Sequence, residues 1–235
     1  MAVESFLTRW RKAVGPPPGS KTADAAALAH KRKQRRLLKR TAGVILLLSG
    51  GWYGYSYLAR APDRARAEMQ RGIEKMGPGT YDQALQHFDR AIDIYPQLTE
   101  AYLNRAVAEH EASQRPAALI DLDKALDLDP HLTRAYNERG QIYLENGNPR
   151  KAIQEFTRSI QVKPTLEGYY QRGQAWEALG DHQKAIADYD DAIAEFPEAP
   201  YTYRARAVAK RNLSDIEGAR ADEQSAMRIE GVLRP

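Results

Sequence analysis

His30, His87, His110, His131 and His182 are the side chains best suited to bind a metal or carry a proton. No two of them stand at a metal-ligand spacing, and no cysteine is present, so thiolate sites, disulfides and Cys nucleophiles are excluded. The acidic run Asp121, Asp123, Asp127 and Asp129 lacks the glycine and terminal glutamate of a calcium loop. Asp188, Asp190 and Asp191 form a similar cluster, and both groups are expected on solvated helix faces. No strand is predicted, so no glycine-rich phosphate loop follows one. These residues give no catalytic constellation, and the expectation is a protein that is not an enzyme and uses no cofactor. What recurs instead is a Tyr and an Arg three residues apart, at Tyr102/Arg105, Tyr136/Arg139, Tyr169/Arg172 and Tyr203/Arg206. On a helix each pair shares a face, where ring and guanidinium can stack. Identical recurrence points to architecture rather than to a binding site.

The elements that carry these pairs follow from a long period. Pro96, Pro130, Pro164 and Pro197 stand 34, 34 and 33 residues apart, and Ala84, Ala118, Ala152, Ala185 and Ala219 keep step with them. Small residues precede each alanine at Gly72, Ala106, Gly140, Gly173 and Ala207. Glycines fall in the intervening turns at Gly79, Gly147 and Gly180, and large residues follow at Phe88, Leu122, Phe156 and Tyr189. Another small residue comes at Ala91, Ala125, Ser159, Ala192 and Ala226. Small residues let two helices approach, the large one fills the gap beside them, and proline ends the second helix.

This pattern resembles the tetratricopeptide repeat over roughly residues 65–233. The resemblance implies an all-α fold, a right-handed superhelical solenoid of about five helix–turn–helix repeats near 65–98, 99–132, 133–165, 166–199 and 200–233. The sequence departs from the family in three ways. Arg replaces the usual leucine at the seventh position. The first repeat has Glu68 in the tyrosine position and an odd turn, Met76-Gly77-Pro78-Gly79. The last has Glu223 for the large apolar residue and Gly231 for proline, as suits a capping repeat.

In the family, the first helices line an inner groove. Carried over by position, that groove comprises Leu103, Asn104, Val107 and His110, then Asn137, Glu138, Gln141 and Leu144. Tyr170, Gln171, Gln174 and Glu177 follow, with Arg204, Val208 and Arg211. Amides interleaved with apolar side chains suit an extended peptide, whose backbone needs donors and acceptors. The alternative is a set of merely solvated helix faces. Some family members grip a terminal carboxylate with a Lys/Asn/Arg clamp. Met69 and Ile73 stand at the matching positions of the first repeat, so such a clamp is not expected.

Charge and hydropathy divide the chain further. Residues 1–40 hold eleven Lys/Arg against Glu4 and Asp24, while the other 195 hold 24 against 29 acids. A basic tail on an acidic body argues against a nucleic-acid partner. Residues 41–59 carry no charge and are expected as one transmembrane helix before a domain at 62–234. Its Gly50 and Gly54 have the GxxxG spacing that brings helices together, although glycine is common in such helices, and the oligomeric state stays open. Seven Lys/Arg precede the span within ten residues and four follow within fifteen, which orients the tail to the cytoplasm. In a bacterium the repeats would then be periplasmic, on the inner membrane. Ala59-Arg60-Ala61 also fits a signal-peptide cleavage site, although the positive region is long for one. Val3, Phe6, Leu7, Trp10 and Val14 suggest an amphipathic helix at 3–14 or a tail with chance periodicity, before a proline-rich linker at 15–20.

The function expected is a membrane-anchored scaffold or adaptor that assists assembly or stability of a bacterial envelope complex. Its partners would be proteins or peptide segments of proteins. A constitutive structural subunit of a large membrane complex and an import receptor on an organelle surface are the alternatives.

Overall fold

The computed structural model describes residues 59–231. The expected segments at 3–14 and 15–20, the span up to residue 58, and Gly50 and Gly54 lie outside the described residues. Among the described residues no helix is long and apolar enough to cross a membrane.

Ten helices and no strand make up the described residues. They are α1 (Ala61–Glu74), α2 (Tyr81–Ile94), α3 (Thr99–Glu111), α4 (Arg115–Leu128) and α5 (Thr133–Glu145). Then come α6 (Pro149–Val162), α7 (Leu166–Ala178), α8 (His182–Glu195), α9 (Pro200–Asn212) and α10 (Ile216–Ile229). They divide into two compact units, the first ending at Leu128 and the second beginning at Asp129. Within each unit, every helix packs against the next.

The boundaries follow from local chemistry. Each closing proline stands two positions beyond the last residue of α2, α4, α6 or α8, because its ring bars a further helical turn. The residue before it is pushed to extended backbone, as at Tyr95 and Lys163. Pro149 and Pro200 open their helices, where a missing N–H costs nothing. Thr165, Asp181 and Asp215 cap α7, α8 and α10 by accepting from Gly168, Lys184 and Gly218 N–H. The turns inside the pairs close with a left-handed residue at Gly79, Gly147 and Gly180, but at Ser113 (φ 59°) and Ser214 (φ 65°) in the other two. Serine there bears a steric cost that glycine avoids. The odd first turn is six residues long, and the Thr80 hydroxyl lies within hydrogen-bond reach of the Lys75 and Gly77 carbonyls, at 2.8 and 3.0 Å, with one proton to donate between them.

The core is a series of small-to-large contacts between paired helices. The Phe88 ring lies against Gly72 and the Phe156 ring against Gly140, so closely that an added Cβ would stand 2.5 Å from ring carbon in each. Tyr189 fills the same place against Gly173. Where the large residue is Leu122, the small one is Ala106, which restores the summed volume. In the last pair the place is taken by Glu223, half-buried and bonded to Arg211. Gly231, with φ 71°, then ends α10.

Candidate functional site

The Tyr–Arg pairs stack as expected, with guanidinium carbons 5.6 Å from the rings of Tyr102, Tyr136 and Tyr203 and 6.0 Å from that of Tyr169. Tyr102 and Tyr136 also donate to the Pro96 and Pro130 carbonyls, at 3.3 and 3.2 Å. The larger role of each arginine lies elsewhere. Arg105 bonds Asp121, Arg139 bonds Glu155, Arg172 bonds Asp188 and Arg206 bonds Asp222, each sixteen residues on and in the second helix of the same pair. Arg105, Arg172 and Arg206 also reach the preceding second helix, Arg105 to Asp89 at 2.6 Å, Arg172 to Thr157 at 3.2 Å and Arg206 to Asp190 at 2.5 Å. A planar guanidinium with donors on two edges suits this three-helix tie, and lysine would not.

Asp121 and Asp188 were expected on a solvated face and are instead 3% and 4% exposed. They are buried because they neutralise an arginine, while Asp123, Asp127, Asp190 and Asp191 stay exposed. Burial pulls the Arg105 pKa down, but Asp121, Asp89 and Glu109 outweigh it and hold the pKa above arginine's ordinary value. Burial pushes the Asp222 carboxyl up, but Arg206 and Lys210 outweigh it and hold it below its usual range. The first pair breaks the pattern, because His87 occupies the acid's place. There Glu68, standing where tyrosine recurs, bonds Arg71 and lies 2.9 Å from His87 Nδ1. The hydrogen bond to His87, then the Arg71 charge, keep its pKa low against burial. Among the described residues no group of three or more His, Asp or Glu is placed to hold a metal.

The expected groove residues divide by depth. Leu103 and Asn137 are buried, at 4% and 3% exposure. Asn104, Val107 and His110 in the first unit are half-buried, as are Glu138, Gln141, Leu144, Tyr170, Gln171 and Glu177 in the second. Leu144 packs on the core of Ala152, Phe156 and Ala175. Gln174, Arg204, Val208 and Arg211 are exposed. Position along the helix fixes an angle, not a depth, so one position gives buried Asn137 and exposed Arg204.

The second unit gathers several of these residues. Gln174 donates to the Tyr170 hydroxyl at 3.3 Å, and the Tyr170 ring stands edge-on to Tyr201 at 5.0 Å. Glu177 lies 3.1 Å from His182 Nδ1 and accepts from Asn212 at 3.5 Å. Arg204 bonds Glu230 and Arg211 bonds Glu223, so both exposed cations are already committed. Sequence reasoning missed Tyr201, the second residue of α9, which is 44% exposed. It also missed Lys151 over Tyr143 and Lys184 over Trp176, a recurring pair eight residues apart that spans a turn.

The tetratricopeptide-repeat sequence profile matches residues 69–132 and 137–200. The chain belongs to the tetratricopeptide-repeat family. Among solved structures, it resembles MamA at 22% identity and TM-score 0.62, covering 74% of this chain and 99% of that one. MamA from Desulfovibrio magneticus RS-1 matches at 18% identity and TM-score 0.64, covering 74% and 98%. A thermophilic tetratricopeptide-repeat protein of Thermus thermophilus matches at 22% and TM-score 0.57, covering 70% and 90%. At these identities the likeness concerns the fold. No curated protein matches the chain. Within the repeats, the Arg–acid ties and the Gly–aromatic contacts recur as scaffold, whereas the position of Tyr170 holds Leu103, Asn137 and Arg204 in other copies.

Proposed function

We propose that the chain is a membrane-anchored interaction scaffold whose first helices bind peptide segments of other proteins. The observation that carries this reading is the exposed aromatic and amide face of the second unit. Tyr201, 44% exposed, stands against Tyr170, which Gln174 bonds, and Val208 on the same helix as Tyr201 is 49% exposed. Apolar surface of this kind on an otherwise charged fold is a feature of interaction sites. The half-buried amides Asn104, Gln141 and Gln171 on the first helices carry both donors and acceptors. Groups of this kind can pair with the backbone of an extended peptide.

Anchoring rests on the uncharged stretch 41–59, and orientation on the seven cations before it against four after. The repeats then lie on the periplasmic side of a bacterial inner membrane and serve assembly or stability of an envelope complex. A second reading, a structural subunit enclosed by neighbours, draws on exposed Ile120, Leu213, Ile216 and Met227, which stand on second helices or turns.

The test is affinity capture of the tagged full chain from mild detergent, beside a variant carrying His110→Ala, Gln141→Ala, Gln174→Ala and Val208→Ala. Loss of specific partners at an unchanged melting temperature supports the peptide-binding reading. Retention of the same stoichiometric partners refutes it and favours the structural subunit.

A further inference from the structure

We propose that a pocket beside Tyr201 receives a large apolar side chain of a partner polypeptide that carries lysine or arginine next to it. This rests on the peptide-binding reading above and names the chemistry of the segment bound.

The pocket lies wholly in the second unit, where the loop from α8 to α9 meets the start of α7. It measures about 450 Å³ and is walled by Leu166, Phe196, Pro197, Ala199, Pro200 and Tyr201, with Glu198 the acid among them. The sequence builds it from opposed demands. Pro197 closes one repeat and Pro200 opens the next helix, so the loop is short and poor in N–H groups. Buried Ala199 takes little room between them. Tyr201 stands edge-on to Tyr170, which restrains its ring on one side. A tyrosine held in this way offers contact area at low entropic cost.

Charge selects the occupant. Glu198 stands in the wall, and Glu167 follows Leu166 closely enough to the Tyr201 phenol to act on its ionisation. Asp191 and Glu195 are exposed on the last turns of α8, leading into Phe196. The arginines that follow on α7 and α9 are already paired: Arg172 with Asp188 and Arg204 with Glu230. Lys163, exposed before Pro164, reduces this excess of acid without reversing it. An apolar hollow under a negative field admits a neutral or basic-flanked side chain and repels an acidic one.

The experiment measures fluorescence anisotropy of labelled peptides with the full chain in mild detergent. The probe has one tryptophan with two lysines on each side. Its companions carry glutamates for the lysines, or alanine for the tryptophan. The lysine–tryptophan peptide should bind at least tenfold tighter than either companion, and Tyr201→Ala or Glu198→Lys should each weaken it at least fivefold. Equal binding of the three peptides, or unchanged binding by both variants, overturns the proposal. Partner capture separates the two ideas. If it survives Tyr201→Ala and Glu198→Lys but is lost with the four-alanine variant, the pocket proposal fails alone. If it survives all of them, both readings fail.

Discussion

Replacing Gly140 by alanine should destabilise the protein, although alanine is the better helix former. The new Cβ would stand 2.5, 2.8 and 2.9 Å from three ring carbons of Phe156. Carbon atoms settle near 3.5–4.0 Å, roughly 1 Å further apart. The ring cannot retreat, because Phe156 is fully buried against Ala152 and Ala175, with Tyr143, Leu144 and Ile153 packed around it. Overpacking of this kind costs about 3 kcal/mol at its upper end. The gain in helix propensity returns about 1 kcal/mol. The net loss of about 2 kcal/mol lowers the melting temperature by about 4–8 °C in a chain of this size. The sequence itself supplies the rescue, since the second repeat carries Ala106 and Leu122, both buried, at the positions of Gly140 and Phe156. Gly140→Ala with Phe156→Leu should recover most of the loss, with a coupling of about 2 kcal/mol in a double-mutant cycle. Urea unfolding followed by far-ultraviolet circular dichroism measures all four proteins. A Gly140→Ala protein as stable as the parent, or a double variant that loses the sum of the single changes, would refute the steric argument.

Asp121→Asn should cost about 3 kcal/mol in the same assay, because it leaves the buried Arg105 charge undercompensated; a loss below about 1 kcal/mol would count against the tie. Ser214→Gly should gain about 0.5–1 kcal/mol, since glycine takes the left-handed turn without strain. A loss there would show the serine hydroxyl to matter more than its backbone. The Asp222 carboxyl is held below its usual pKa by Arg206 and Lys210. Its contribution is therefore present above about pH 4, the unfolded carboxyl's value, and is lost as pH falls through the lower folded one. Asp222→Asn should flatten that acid limb of stability against pH, and an unchanged limb would contradict the assignment.

The repeat register was legible because its demands are steric and local. Gly72, Gly140 and Gly173 face aromatic rings that admit no Cβ, and the prolines stand where a helix must stop. The Tyr–Arg stacking was legible from a three-residue spacing on one helix. The acid partner of each arginine was not, because it lies on another helix. Yet the sixteen-residue interval from Arg105 to Asp121 recurs in four repeats, and a fixed pair length makes it a usable signal. Without it, Asp121 and Asp188 defaulted to solvent, where unpaired acids belong. Groove depth was beyond reach for a different reason. Leu103 and Asn137 sit at an inner position by helix angle, but burial depends on what neighbouring helices bring. Tyr201 escaped notice because the α8–α9 loop, not α9 alone, forms its surroundings.

Partners that lie against the first helices of the repeats must come within reach of Gln174 and Val208. A photo-crosslinking amino acid placed singly at either position, and at Gln154 or Arg158 on the exposed side of α6, reports where they sit. A discrete adduct with the same partner is expected from Gln174 and Val208, and none from Gln154 or Arg158. Adducts confined to Gln154 and Arg158 would contradict the peptide-groove reading and place the interaction on the second helices instead.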